Sequence, residues 1–164
     1  EVVQLLQKII DSFSSGKPGV GLPLGNLTSQ LFVNIYMNEF DQFVKHKLKA
    51  KYYIRYTDGF VIFSEDRKRL ETLIPLIKDF LEGKLRLALH PYKVFIKTLA
   101  SGVDFLGWVH FPDHCVLRTT TKRRIIRRIK THPTLETINS YRGLLKHGNS
   151  FKIRKKIIDG LSYV

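Results

Sequence analysis

The chain has 164 residues, of which 43% are apolar and 26% charged, with a formal net charge of +14 and a sequence pI near 10.0. That composition excludes a disordered chain, and no run approaches the roughly 18 uncharged apolar residues of a membrane-spanning helix. A single cysteine, Cys115, excludes an intrachain disulfide or a cysteine-cluster zinc site, and the six histidines lack metal-ligand spacing. No signal peptide is visible, which fits a cytoplasmic setting. The chain opens at Glu1, in a helix already under way, and so reads as a fragment of a longer protein.

Val2, Val3, Leu5, Leu6, Ile9 and Ile10 recur at helical spacing and predict an amphipathic helix over 1–10. Ser14–Gly19 ends it and opens a Gly/Pro-rich loop reaching about Gly25. Leu31, Ile35, Phe40 and Val44 predict a second helix over 28–47, with Glu39 and Asp41 beside the apolar stripe. Two aromatic-rich runs, 52–56 and 60–64, flank Tyr56-Thr57-Asp58-Gly59 and predict a hairpin. Asp-Gly between such runs signals a type I′ turn. The same tip is also where a carboxylate can be offered to a metal in a cleft.

A third helix is predicted over 67–82 and stopped by Gly83, with short strands near 85–89, 93–97, 104–110 and 115–118. Helical periodicity then returns over about 121–131, 134–147 and 150–159. Charge changes at the same place. Residues 118–156 carry thirteen Lys/Arg against Glu136 alone, so most of the net charge lies in the last third. The expected organisation is α+β: a body over 1–118, then a basic helical part over 119–164. In Thr121–Lys130, Ile125, Ile126 and Ile129 share a face, while Arg123, Arg124, Arg127, Arg128 and Lys130 crowd the remainder. Cations at i,i+4 without an acid repel one another, and a phosphate backbone relieves that repulsion. An anionic membrane surface is the alternative polyanion.

Several blocks, in order, resemble bacterial reverse transcriptases. Gly21-Leu22-Pro23-Leu24-Gly25-Asn26-Leu27-Thr28-Ser29-Gln30 resembles the glycine loop and helix start ahead of the catalytic hairpin. Tyr56-Thr57-Asp58-Gly59 stands where that family has Tyr-x-Asp-Asp. Leu89-His90-Pro91-Tyr92-Lys93 is similar to its His-Pro-x-Lys segment, Val103–Trp108 to its primer-grip strand, and Ser140–His147 to the first part of its thumb. Ser29-Gln30, in place of the Ser-Pro of intron-encoded relatives, is most similar to the diversity-generating retroelement branch.

The resemblance implies a polymerase palm, an antiparallel sheet with helices on one face, followed by a basic thumb portion. It implies RNA-directed DNA polymerase chemistry with Mg²⁺ (or Mn²⁺), an RNA template, a primer strand and dNTPs, possible association with a retroelement accessory protein, and no membrane. It assigns Asp58 as metal ligand, Lys93 as charge stabiliser or general acid, and Gly25, Asn26, Ser29 and Gln30 to the nucleotide or template. It assigns Leu106, Gly107 and Trp108 to the primer grip, and Arg123, Arg124, Arg127, Arg128 and Lys146 to the nucleic-acid backbone. Each block also has a plainer reading: a helix N-cap at Thr28 or Ser29, a surface charge at Lys93, a core tryptophan at Trp108. Family polymerases use three carboxylates for two ions. Asp58 matches one, Gly59 holds the place of the second, and the third, on an upstream strand, is expected with the fingers to lie outside this chain. The chain is therefore expected not to polymerise by itself, or to be a degenerate module that binds RNA or a heteroduplex.

Overall fold

The computed structural model describes residues 1–12, 21 and 27–155, which fall into two compact units, Glu1–Ile96 and Lys97–Val164. The predicted glycine-loop residues Gly25 and Asn26 and the end of the last predicted helix lie outside the described residues. The described part mixes helices with small antiparallel sheets, an α+β composition.

In the first unit, α1 (Val2–Asp11) buries none of its residues, and α2 (Leu27–Gln42) runs directly into a π-helical turn at Phe43–Lys47. β1 (Tyr52–Tyr56) and β2 (Gly59–Phe63) form an antiparallel hairpin, followed by α3 (Arg67–Leu85). Helical spacing puts Met37, Phe40 and Val44 of α2 and its extension on one side, and Leu73, Ile77, Leu81 and Leu85 of α3 on another; together with Ala50 these close the core. Phe40 is fully buried, with the rings of Phe60, Tyr53 and Phe80 at 4.9, 6.1 and 6.2 Å. Strand alternation turns Tyr53 and Arg55 toward the helices and leaves Tyr52, Ile54 and Tyr56 exposed.

Two expectations change here. Gly83 does not stop α3, which starts at an Asp66 cap (Oδ1 accepting from the Lys68 amide at 2.8 Å) and continues to Leu85. Burying Leu85 outweighs the glycine's modest helix penalty. Termination falls instead to Arg86 in the left-handed region (φ +50), where the Leu87 amide reaches back to the Leu81 carbonyl. The strands expected at 85–89 and 93–97 do not form. Tyr92, Val94 and Phe95 are exposed, and their alternation meets no neighbouring strand to complete a ladder.

In the second unit, β3 (Val103–Phe105), β4 (Trp108–His110) and β5 (Cys115–Leu117) form an antiparallel meander, followed by α4 (Thr119–Thr131), α5 (Leu135–Leu144) and a helical stretch at 151–155. The single strand expected over 104–110 is therefore two. Phe105 pairs with Trp108 across Leu106 (φ +55) and Gly107 (φ +83), a two-residue turn with both central residues left-handed. Trp108, Leu117, Ile125 and Leu145 make the core, with Ile129, Tyr141, Leu144 and Ile153 packed against it. That core is why the meander groups with the basic helices. The change in charge near 118–121 falls inside the second unit, since β4 and β5 bury their apolar faces on α4 and the end of α5.

Candidate functional site

The register of the hairpin decides what its tip offers. Tyr56 pairs with Gly59, so the two-residue loop is Thr57-Asp58 and Gly59 is already the first residue of β2. The expected Asp-Gly turn is thus displaced by one residue. Thr57 carries the left-handed conformation (φ +53), and neither Asp58 nor Gly59 does, as in a type II′ turn. A β-branched residue at positive φ costs about 1–3 kcal/mol and persists only where its surroundings impose it. Gly59 is consequently not demanded by its backbone conformation.

The surroundings that impose the turn belong to a network that inspection of motifs missed. The Arg55 side chain, only 9% exposed, donates through Nε and Nη2 to both oxygens of Asp41 on α2, at 2.8 and 2.6 Å. Its Nη1 donates to the Thr57 carbonyl at 2.7 Å and to Asn34 Oδ1 at 3.2 Å. The Tyr53 hydroxyl completes the arrangement by donating to Asp41 Oδ1 at 2.7 Å. The hydrogen-bonded Arg55 guanidinium holds the Asp41 carboxyl below its ordinary range. Burial, then the bond to Asp41, pushes the Tyr53 hydroxyl well above its own. One signal for this network was present in the sequence: Arg55 occupies an inward position of a strand otherwise made of tyrosines and an isoleucine, and an inward guanidinium requires a carboxylate partner.

Asp58 is exposed at the tip and accepts from the Thr57 hydroxyl at 2.9 Å. Mg²⁺ keeps several waters and is often held by one or two carboxylates, so Asp58 fits a single hydrated ion. A pair of ions about 3.5–4 Å apart needs more negative charge than one carboxylate brings. No group of three or more His, Cys, Asp or Glu that could hold a metal occurs among the described residues, and Gly59 adds no ligand. The described residues do not fit a two-ion centre.

The other predicted site residues lie on separate elements, some in the first unit and some in the second. Ser29 is half-buried and Gln30 exposed in the first turn of α2, and Lys93 lies in an exposed turn with its amide donating to the His90 carbonyl at 3.0 Å. Leu106 and Gly107 form the β3–β4 turn. Trp108 is buried in the second core. A Cβ on Gly107 would meet Thr121 Oγ1 at 3.2 Å, so this turn closes against α4. On α4, Ile125 is fully buried and Ile126 and Ile129 half-buried, while Arg123, Arg124, Arg127 and Arg128 are all exposed, as is Lys146 after α5. The apolar side of α4 is thereby committed to the core and its cations are left to solvent.

Residues 10–110, more than half of the chain, match the family model described as reverse transcriptase (RNA-dependent DNA polymerase). The chain belongs to the reverse transcriptase family. That match spans the hairpin and reaches the β3–β4 pair, and RNA-directed DNA polymerases of this kind generally use divalent metal ions. No curated protein shows a significant sequence match to the chain. No helix among the described residues is long and apolar enough to cross a membrane.

Proposed function

We propose that this chain is the palm and the beginning of the thumb of a bacterial reverse transcriptase of the diversity-generating retroelement type, and that it grips nucleic acid without extending a primer by itself. The observation that carries the reading is the hairpin register, in which Asp58 sits in the loop and Gly59 begins β2; Gly59 is read as standing where the family has a second carboxylate. Asp58 would hold one hydrated Mg²⁺ or Mn²⁺, which in a complete centre activates a primer hydroxyl and neutralises the triphosphate. Arg123, Arg124, Arg127, Arg128 and Lys146 are read as contacts to the phosphates of an RNA template or a template–primer duplex. They are exposed, and α4 has no acidic residue among them. Ser29, Gln30 and Lys93 keep their assigned roles toward the nucleotide, and Leu106–Trp108 theirs toward the primer end. An RNA template, a primer and dNTPs are the partners this reading requires.

Primer-extension assays on an RNA template with Mg²⁺, and separately with Mn²⁺, test the reading. No extension is expected from the chain, together with salt-dependent binding of the same RNA. Robust extension would refute it. The second reading, a degenerate module that only binds RNA or heteroduplex, is favoured by Gly59 itself and separated by Gly59→Asp. Gly59 has no positive φ, so an L-residue is tolerated there, and extension by Gly59→Asp joined to the family's upstream carboxylate segment identifies a scaffold that lacked only its ligands.

A further inference from the structure

The tip carboxylate is only as well placed as the loop that carries it, and that loop is held by one side chain. Arg55 reaches from the tip-proximal end of the inward face of β1 to the Thr57 carbonyl at 2.7 Å, which caps the left-handed residue immediately before Asp58. A guanidinium close to a cation site is normally a competitor, because its charge repels the ion. Here both Asp41 oxygens are bonded to Nε and Nη2, which neutralises that charge and leaves Nη1 to hold the loop and Asn34. Tyr53 fixes Asp41 in turn, so the fork cannot swing without breaking its bonds to Asp41 and Asn34 on α2 and to the Thr57 carbonyl in the loop. Two strands of a hairpin meeting a helix need no such device for stability, since Phe40, Tyr53, Phe60 and Ile62 already pack that junction.

We propose that Arg55, neutralised by Asp41, is a positioning residue for the Asp58 carboxylate: it sets the Thr57 turn and so the place at which Asp58 meets a divalent cation. Lysine cannot replace it, because a single ammonium does not span the Asp41 carboxylate and the Thr57 carbonyl in a planar fork. The inference rests on the reading of Asp58 as a cation ligand.

Both are tested together by titrating the full chain with Mn²⁺ and following paramagnetic broadening of the Thr57, Asp58 and Gly59 amide signals, with amide dispersion reporting the fold. The parent should show broadening centred on the tip, and Asp58→Asn should abolish it. Arg55→Lys should keep the dispersed spectrum yet raise the apparent Mn²⁺ dissociation constant about tenfold or more, the scale on which supporting residues act on metal ligands. If Asp58→Asn abolishes the broadening while folded Arg55→Lys titrates as the parent does, the positioning role is overturned and the ligand role stands. If the parent shows no tip-centred broadening, or Asp58→Asn leaves it unchanged, the ligand role fails and takes the positioning role with it. Should Arg55→Lys lose its dispersion, Asp41→Asn, which frees the fork without deleting it, decides by the same criteria.

Discussion

The hairpin tip and the α4 surface are both charged, and they use charge in opposite ways. At the tip each charge has a fixed partner: Arg55 is nearly buried, bonded to both oxygens of Asp41, and tied to a carbonyl on the loop it supports. On α4 four arginines stand exposed with no acid among them, anchored only by the isoleucines beneath. A buried, paired guanidinium acts through geometry and fails when its fork is altered, whereas an exposed cluster acts through charge density and degrades gradually. The two regions should therefore answer differently to the same kind of substitution.

The largest separation is expected in RNA affinity. Replacing Arg123, Arg124, Arg127 and Arg128 by Gln should weaken RNA binding by roughly a hundred- to a thousandfold near 0.15 M salt and flatten its log–log salt dependence by about three to four units. Thermal stability should be unchanged or slightly higher as the i,i+4 repulsion disappears. Fluorescence anisotropy over a salt series reads the first effect, and a melt the second. An unchanged salt slope would remove α4 from the interface.

Arg55→Met should do the reverse. Leaving the Asp41 carboxylate without its fork should cost about 2–3 kcal/mol of stability by urea denaturation, less than a fully buried pair because Asp41 retains 29% exposure. RNA affinity of the folded variant should stay near that of the parent. The same pair sets a pH dependence. The folded-state carboxyl of Asp41 is depressed below its ordinary value of 3.8, so its contribution is fully present above that value and is lost as the pH falls through the lower folded value. Denaturation midpoints measured from neutral pH down to the acid limb should fall less steeply for Arg55→Met than for the parent. The smallest effect belongs to a site that neither region uses: Gly83→Ala, helical with nothing within 4 Å of the new methyl, should stabilise the first unit by about 0.5–1 kcal/mol. A loss of stability there would mean that the end of α3 needs glycine after all.

Periodicity alone located α1 through α5 to within a few residues and put Phe40, Val44 and Ile125 on apolar faces that are buried, whereas Leu31 and Ile35 of the same α2 stripe stay exposed. It failed where neighbours decide. The residues of 86–98 have strand-like composition but no strand beside them, and α3 ran past Gly83 because Leu85 had a core to enter. At the tip, Asp58 was legible from its motif, while the turn was misplaced by one residue because Asp-Gly outranks Thr-Asp on local preference.

What the amino-acid sequence determined by itself is therefore the order of elements, the family blocks, the carboxylate at position 58 and the cations of α4. These depend on local periodicity and residue chemistry. Only the tertiary structure decided that Gly59 belongs to the strand, that the β3–β5 meander shares a core with the basic helices, and that Arg55 joins α2 to the tip. The last of these depends on residues 14 and 21 positions away being brought within hydrogen-bonding distance. No local preference encodes such a meeting, because it exists only when α2 and the hairpin have packed around Phe40.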